Sequence, residues 1–476
     1  LFIDFYFFYA ILYVVIFDFL GELQLKIIVA GDGKVGATLT RQLTAEGYDI
    51  TLIDSNKDVL SSSMEQFDIM TVHGNCATKD TLLKAGMTDT DLIIAATSAD
   101  EVNLLCCITA HGLNKNLHTI ARIRNPEYSS QIYDMRDMYA LSMTVNPEKQ
   151  ASSAIEKLLR YPGFLKHDTF AKGRVDIVEL RVKSDSKLCN IPLSALPTQT
   201  KCNVLVCAVI RNGEALAPNG DFVLQAGDRI FVTASVDNLS MLLKSLGMTP
   251  KKAKNILICG GGKISYYLAK RLEKSSVSVT LIEKDEKRCV ELASLLPTTN
   301  IIHGDASDQN LLNSEGLADC EAVVTATGLD EMNMIISLYA NNVGVPQTIT
   351  KLSRIDSGSI PSNIPLGSII CPKELCCNSI VRYVRAIQNQ SGAAIAVHFI
   401  ADGQAQAIEF RVDEQTKHCG EALKDIKIRK NVLIVCITHN GKIEIPNGNS
   451  SFKKGDGIII VTSSGDVVRQ LNDIFI

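Results

Sequence analysis

Short β-branched and apolar runs alternate with stretches of helical period along the chain. Lys26–Ala30, Asp49–Asp54, Ile69–His73, Leu92–Thr97 and Thr119–Ile123 read as buried strands. The segments between the first four have helical period, so the order is strand–helix–strand and the sheet is parallel. From about 172 to 235 the texture changes to short strands with turn signals. These are Arg211-Asn212-Gly213, Pro218-Asn219-Gly220 and Ala226-Gly227-Asp228, and Asn-Gly pairs mark hairpins. A helix over Glu148–Arg160 joins the two textures and is broken at Tyr161-Pro162-Gly163. A second link, about 237–254, ends in Thr249-Pro250-Lys251-Lys252.

The same pattern then repeats. IIVAGDGKVGATLTRQLTAEGYDITLID (Ile27–Asp54) is matched by ILICGGGKISYYLAKRLEKSSVSVTLIE (Ile256–Glu283). Val72–Thr97 is matched by Ile302–Thr327, Asp100-Glu101-Val102-Asn103 by Asp330-Glu331-Met332-Asn333, and Asn212–Ser235 by Asn440–Ser464. A displacement this constant over the whole unit marks a tandem duplication. The expected modules are 25–149, 150–248, 254–371 and 372–476. The fold class is α/β: a Rossmann-like, doubly wound parallel sheet followed by a small α+β domain, present twice.

Residues 1–24 stand outside this repeat. The uncharged run from Phe5 to Phe17 is shorter than the ~20 residues a membrane span needs. No Lys or Arg precedes Lys26, so a basic signal-peptide region is missing. No Met precedes Met64, which lies beyond the first glycine loop. Leu25 is the expected start, with the leader read as translated upstream DNA and a membrane-proximal segment as the alternative.

Composition narrows the function class. Hydrophobic residues at 46% and charged residues at 21% exclude a disordered chain and a polytopic membrane protein. With 48 Lys+Arg against 52 Asp+Glu, a net charge of −4 and no basic block, a nucleic-acid binder is disfavoured. The 14 Cys include adjacent pairs such as Cys106-Cys107 and Cys376-Cys377, but no C-x-x-C. Buried thiols in a reducing compartment are expected, without metal ligands or a disulfide scaffold.

The chemistry lies in one loop. Gly31-Asp32-Gly33-Lys34-Val35-Gly36 follows a strand and opens a helix, and Asp54 ends the next strand. Gly31 permits the tight turn, Gly33 lets a pyrophosphate approach the backbone, and Gly36 lets helix and strand pack closely. The helix N-terminus offers N–H donors to phosphate. Asp54 can accept from the adenosine ribose hydroxyls and would repel a 2′-phosphate, favouring NAD(H) over NADP(H). Asp32 is expected to face solvent, with Lys34 offsetting its charge. The second copy carries Gly260-Gly261-Gly262-Lys263-Ile264-Ser265, with Ser in place of the third Gly, and Glu283 in place of the Asp. A different affinity or ligand is expected there, with a fold retained by duplication and a decayed site as the alternative. Thr97 and Ser98 end the fourth strand, where ligands sit in such sheets. Arg122, matched by Lys351, is placed to reach phosphates, with a surface ion pair as the alternative. His73 and His303 read as turn residues. No catalytic constellation accompanies the nucleotide loop, which points to sensing; a soluble NAD-dependent oxidoreductase is the alternative.

The motifs VAGDGKVGATL…TLID, VHGN…LLKAGM, DLIIAATSADEVNLL and ARIRNPEY resemble the regulator-of-conductance-of-potassium (RCK, or KTN) domain. The rear modules resemble its companion C-terminal domain. Two such units on one chain resemble the TrkA family of peripheral subunits of bacterial Trk potassium uptake systems. The resemblance implies binding of NAD(H) and adenine nucleotides (ATP or ADP). It also implies a homo-oligomeric ring on the cytoplasmic face of a membrane-embedded potassium-translocating Trk subunit.

Overall fold

The computed structural model describes residues 25–161, 163–170, 175–246, 253–354, 364–387, 394–401, 404–463, 468 and 470–476. The leader at 1–24, Pro162 and the cluster at 249–252 lie outside the described residues. The chain forms two compact units: one runs to Pro147 and takes in Ser379–Val381, the other comprises the rest from Glu148.

The first unit alternates β1 (Lys26–Ala30), α1 (Lys34–Ala45), β2 (Asp49–Asp54), α2 (Lys57–Gln66), β3 (Met70–His73), α3 (Lys79–Lys84), β4 (Leu92–Ala95), α4 (Asp100–Leu113), β5 (His118–Arg122), α5 (Pro126–Asp134) and β6 (Met143–Val145). All strands are parallel, in the order β3-β2-β1-β4-β5-β6. β1 and β4 are almost wholly buried, as strands must be when helices cover both sheet faces. The strand order reverses between β1 and β4, which opens a crevice at their carboxyl ends. The sheet has a strand more than the sequence pattern predicts, because the three-residue β6 is too short to leave a periodic signature. β4 ends two residues early at Ala95, since Thr97 turns away to bond a side chain.

The second unit opens with the remainder of α6 (Pro147–Arg160), followed by β7 (Lys166–Phe170), β8 (Val175–Arg181), α7 (Leu196–Thr200), β9 (Leu205–Arg211), β10 (Glu214–Leu216), β11 (Arg229–Ser235) and α8 (Val236–Ser245). Its sheet is antiparallel, ordered β10-β9-β11-β8-β7. Asn212 and Gly213 both take positive φ in the β9–β10 turn, the conformation a tight hairpin requires. The front pattern then recurs: β12 (Asn255–Cys259), α9 (Lys263–Leu272), β13 (Ser278–Glu283), α10 (Glu286–Leu295), β14 (Asn300–His303), α11 (Gln309–Ser314), β15 (Ala322–Thr325), α12 (Asp330–Val343), β16 (Gln347–Lys351) and β17 (Ser368–Ile370). Its strand order β14-β13-β12-β15-β16-β17 reproduces the first sheet. α13 (Pro372–Ile387), β18 (Ala394–Ile400), β19 (Ala405–Arg411), β20 (Val432–His439), β21 (Lys442–Glu444) and β22 (Gly457–Ser463) complete the chain.

Within this second unit the first rear module packs on the second front module. Ala151, Ile155, Leu158 and Leu159 of α6 share one core with Ile264, Leu268 and Leu272 of α9. Arg271 pairs with Glu156 at 2.6 Å, and Gln347 donates to the Leu158 carbonyl at 2.9 Å. The two rear sheets also meet: Phe170, Ile177 and Phe231 share a core with Ala407, Val435 and Ile459. Gln404 closes that seam, accepting from Ala215 N and donating to the Gly213 carbonyl.

Candidate nucleotide site

The first glycine loop has the geometry its residues demand. Gly31 takes φ +101°, and a Cβ there would lie 2.8 Å from Thr97 N. A Cβ on Gly36 would fall 1.8 Å from the Gly31 carbonyl oxygen, so no larger residue fits without moving the loop. A Cβ on Gly33 would meet nothing within 4 Å. Gly33 is the N-cap of α1 and supplies no side-chain acceptor, and the first turn holds no acid. By contrast α2 is capped by Asn56, whose side chain accepts from Asp58 N and Val59 N. With no side-chain cap and no acid in its first turn, the α1 terminus presents partial positive charge to an anion. Lys34 and Val35 begin this helix, exposed and buried respectively.

Asp54 binds the loop itself. Its Oδ2 accepts from Asp32 N at 2.7 Å and its Oδ1 from Asn56 N at 2.8 Å. A carboxylate has about four lone-pair sites, so both oxygens keep acceptor capacity for ribose hydroxyls.

Asp32 overturns the expectation that it faces solvent. Its side chain is buried, only 6% exposed, with Oδ2 accepting from Ser63 Oγ at 2.6 Å. Burial pushes its carboxyl above the ordinary range, the Ser63 hydroxyl opposes this, and the Asp54 charge adds to the rise. Lys34 points to solvent and forms no ion pair with it.

Across the crevice, Thr97 is used internally. Its N–H and hydroxyl both donate to Asn103 Oδ1, at 2.8 and 2.7 Å. Asn103 Nδ2 in turn donates to the Arg122 carbonyl at 2.8 Å. The Arg122 guanidinium donates to the Thr97 carbonyl at 2.7 Å, and Arg124 bonds the Ser98 carbonyl. Asn103 thus takes the Thr97 hydroxyl. Arg122 braces the loop that carries Thr97 and the exposed Ser98. His73 donates to the Ser55 carbonyl and His303 to the Lys284 carbonyl, each at 3.1 Å, as turn histidines do.

The second site repeats this frame with substitutions. Gly260 takes φ +99°, and Gly262, the N-cap of α9, is open in the same way as Gly33. Lys263 and Ile264 begin α9. Glu283 accepts from Gly261 N and Asp285 N, as Asp54 does from its loop. Lys351 donates to the Thr327 carbonyl at 2.7 Å, taking the Arg122 role. Ser265 is fully buried, and its hydroxyl has no hydrogen-bond partner among the described residues.

Two pairs of positioning residues escaped the motif reading. Asn103 and Asn333 are fully buried and organise the β4 and β15 loops identically. Asp100 accepts from Arg124 N and Asn125 N, and Asp330 from Ser353 N and Arg354 N. Their signal in the sequence is the D-E-x-N that recurs at Asp100–Asn103 and Asp330–Asn333.

The TrkA-N domain model matches residues 27–142 and 256–372, and the TrkA-C domain model residues 177–247 and 407–475. The chain is 30% identical over 461 residues to the Trk system potassium uptake protein TrkA of Vibrio alginolyticus, covering 95% of this chain and 98% of that protein. The Haemophilus influenzae protein of the same name is 28% identical over 463 residues, with the same coverage of each chain. Among solved structures, the GsuK RCK domain matches with TM-score 0.60 over 93% of both chains at 16% identity. The GsuK channel bound to NAD matches with TM-score 0.59, covering 93% of this chain and 77% of that one, also at 16% identity. Likeness at these identities is one of fold.

Proposed function

The chain belongs to the TrkA family, and from that membership we propose that it is the nucleotide-sensing regulatory subunit of a Trk-type potassium uptake system. It binds NAD(H) at Gly31–Gly36 and Asp54. The second site, at Gly260–Ile264 and Glu283, takes NAD(H) or an adenine nucleotide with different affinity. The single observation that carries the binding assignment is the uncapped α1 terminus at Gly33, set beside an acid whose oxygens keep acceptor capacity. The NAD named in the GsuK channel structure supports the choice of ligand. We place the working modules at 25–149, 150–248, 254–371 and 372–476.

The gating reading assigns ion translocation to a separate membrane-embedded subunit, which this chain contacts from the cytoplasmic side. Among the described residues no helix is long and apolar enough to cross a membrane. Self-assembly into a ring is supported by matched exposed apolar pairs, Leu105 and Ile108 on α4 and Ile335 and Leu338 on α12. Nucleotide binding biases two ring conformations by its difference in affinity for them. The chain does this by binding without turnover.

The test uses cells lacking their own potassium uptake, given the membrane subunit with or without this chain. Growth at low potassium should require it. Gly33→Asp should abolish that support: the position is sterically open and Asp is a good N-cap. The variant should therefore fold while a carboxylate takes the pyrophosphate's place. Equal growth with and without the chain would refute gating, and NADH oxidation by the purified protein with a metabolite would favour the oxidoreductase.

A further inference from the structure

We propose that Arg288 is the base-recognising residue of the second nucleotide site, its guanidinium stacking on the adenine of a nucleotide whose ribose Glu283 holds. The inference rests on the reading above and deepens it, because it names the part of the ligand that the second site selects. Glu283 ends β13, and Arg288 lies in the first turn of α10, where the capping Asp285 accepts from Arg288 N at 2.9 Å. The two side chains meet at one residue of the glycine loop. Gly261 N donates to Glu283 Oε2, and the Gly261 carbonyl accepts from Arg288 Nε at 2.9 Å. Acid and guanidinium therefore flank the same glycine.

A second bond fixes the guanidinium plane. Arg288 Nη1 pairs with Glu291 Oε2 at 2.7 Å along α10, while the Arg288 side chain stays 25% exposed. A planar cation held by two different partners, with part of its surface open, is a platform for an aromatic ring. It attracts the ring by cation–π contact and by stacking. Every base offers a π-face, and the two fused rings of adenine cover more of such a platform than a pyrimidine does.

The first half has no counterpart. Val59, half-buried in the first turn of α2, stands in the place of Arg288, and Asp32 in the place of Gly261. The first cleft thus has an aliphatic side chain and an additional carboxylate where the second has a guanidinium. Packing of α10 does not call for arginine, because Cys289 and Leu292 are the residues this helix buries. A loop brace, the part Arg122 plays on the Thr97 carbonyl, is the competing role for Arg288. A brace would support every nucleotide alike, whereas a stacking platform favours the larger base.

The experiment titrates the full chain with ADP and with UDP and follows amide exchange by mass spectrometry, which reads residues 260–264 apart from 31–36. ADP should slow exchange at 260–264 at a lower concentration than UDP. Arg288→Val, which installs the first-half residue, should raise the ADP concentration needed by about five- to thirtyfold and erase the preference. Arg288→Lys should not restore it, because an ammonium keeps the charge but cannot lie flat on a ring. Both variants should keep wild-type protection of 31–36 by NADH, which places the loss at the second site. An equal loss for ADP and UDP would reduce Arg288 to a brace, and full ADP affinity in Arg288→Lys would leave charge alone as the cause; either result overturns the proposal. Protection of 31–36 by NADH without protection of 260–264 by ADP would overturn this inference alone, whereas no protection at either site would overturn the nucleotide reading beneath it.

Discussion

Ser63 donates its hydroxyl to the buried carboxylate of Asp32 at 2.6 Å, and in the second half the same two places are held by Leu292 and Gly261. A Cβ on Gly261 would lie 2.6 Å from Leu292 Cδ1 and 2.9 Å from Glu283 Oε2. An apolar side chain and a longer acid therefore fill the room that Asp32 occupies in the first half. One cleft carries two neighbouring carboxylates and the other carries one. Duplication has preserved the frame while the charge at its centre has diverged, which is the physical basis for expecting unequal ligand affinities.

Asp32→Asn should stabilise the first unit at neutral pH. The Asp32 carboxyl is raised in the folded protein, so the folded state binds its proton more tightly than the unfolded chain does. Stability is then lost as pH climbs from the unfolded carboxyl range through the folded one. Asn removes this loss and can still accept from Ser63. The gain in melting temperature over wild type should be present at pH 7 and vanish below the ordinary carboxylate range. An equal shift at both pH values would show that charge is not the cause.

Asp54→Ala should weaken NADH binding by about 1–3 kcal/mol, the cost of losing charge-assisted hydrogen bonds to the ribose. Titration calorimetry reads this directly. The matching Glu283→Ala variant should leave the affinity of the first site untouched. An unchanged affinity in Asp54→Ala would remove Asp54 from the ribose.

Much of this was legible from residue types alone. The glycine loop declared itself because Gly31, Gly33 and Gly36 answer three different steric demands, and strands such as Leu92–Ala95 are apolar because helices cover both sheet faces. The direction of a short polar side chain was not legible. Asp32 looks like a solvent residue until Ser63, from the next helix, is brought against it. Asn103 carries no motif of its own, and its role depends on β4 and β5 being neighbours. The packing of Glu156 on Arg271 was likewise hidden, because tandem repeats do not reveal that one module docks on the next copy.

Gly36→Ala and Ser265→Gly form an opposed pair. The added methyl would press on the Gly31 carbonyl and should destabilise the first unit by about 1–3 kcal/mol, the usual cost of overpacking. Ser265→Gly removes a buried hydroxyl that has no partner among the described residues, so its desolvation cost is relieved. That gain is offset by glycine's lower helix propensity, about 1 kcal/mol at most. Chemical denaturation should therefore show a clear loss for the first variant and a change under about 1 kcal/mol for the second. A large loss in Ser265→Gly would mean that its hydroxyl is bonded in solution.

Asn103→Leu should cost more than its conservative shape suggests. The side chain holds four groups at once: the Thr97 N–H and hydroxyl on its oxygen, and the Thr97 and Arg122 carbonyls on its nitrogen. Leucine matches the volume but leaves these groups without their partner, at roughly 1–3 kcal/mol for each buried group that finds no other. The loop after β4 would then lose its anchor, and Arg122, which bonds the Thr97 carbonyl, would lose its fixed acceptor. A lower melting temperature and weaker NADH binding should appear together. Asn333→Leu should destabilise through the same contacts around Thr327 and Lys351 while leaving the first site's affinity intact. If Asn103→Leu melted like wild type, solvent would be reaching those groups, and the crevice wall would be looser than the bond network implies.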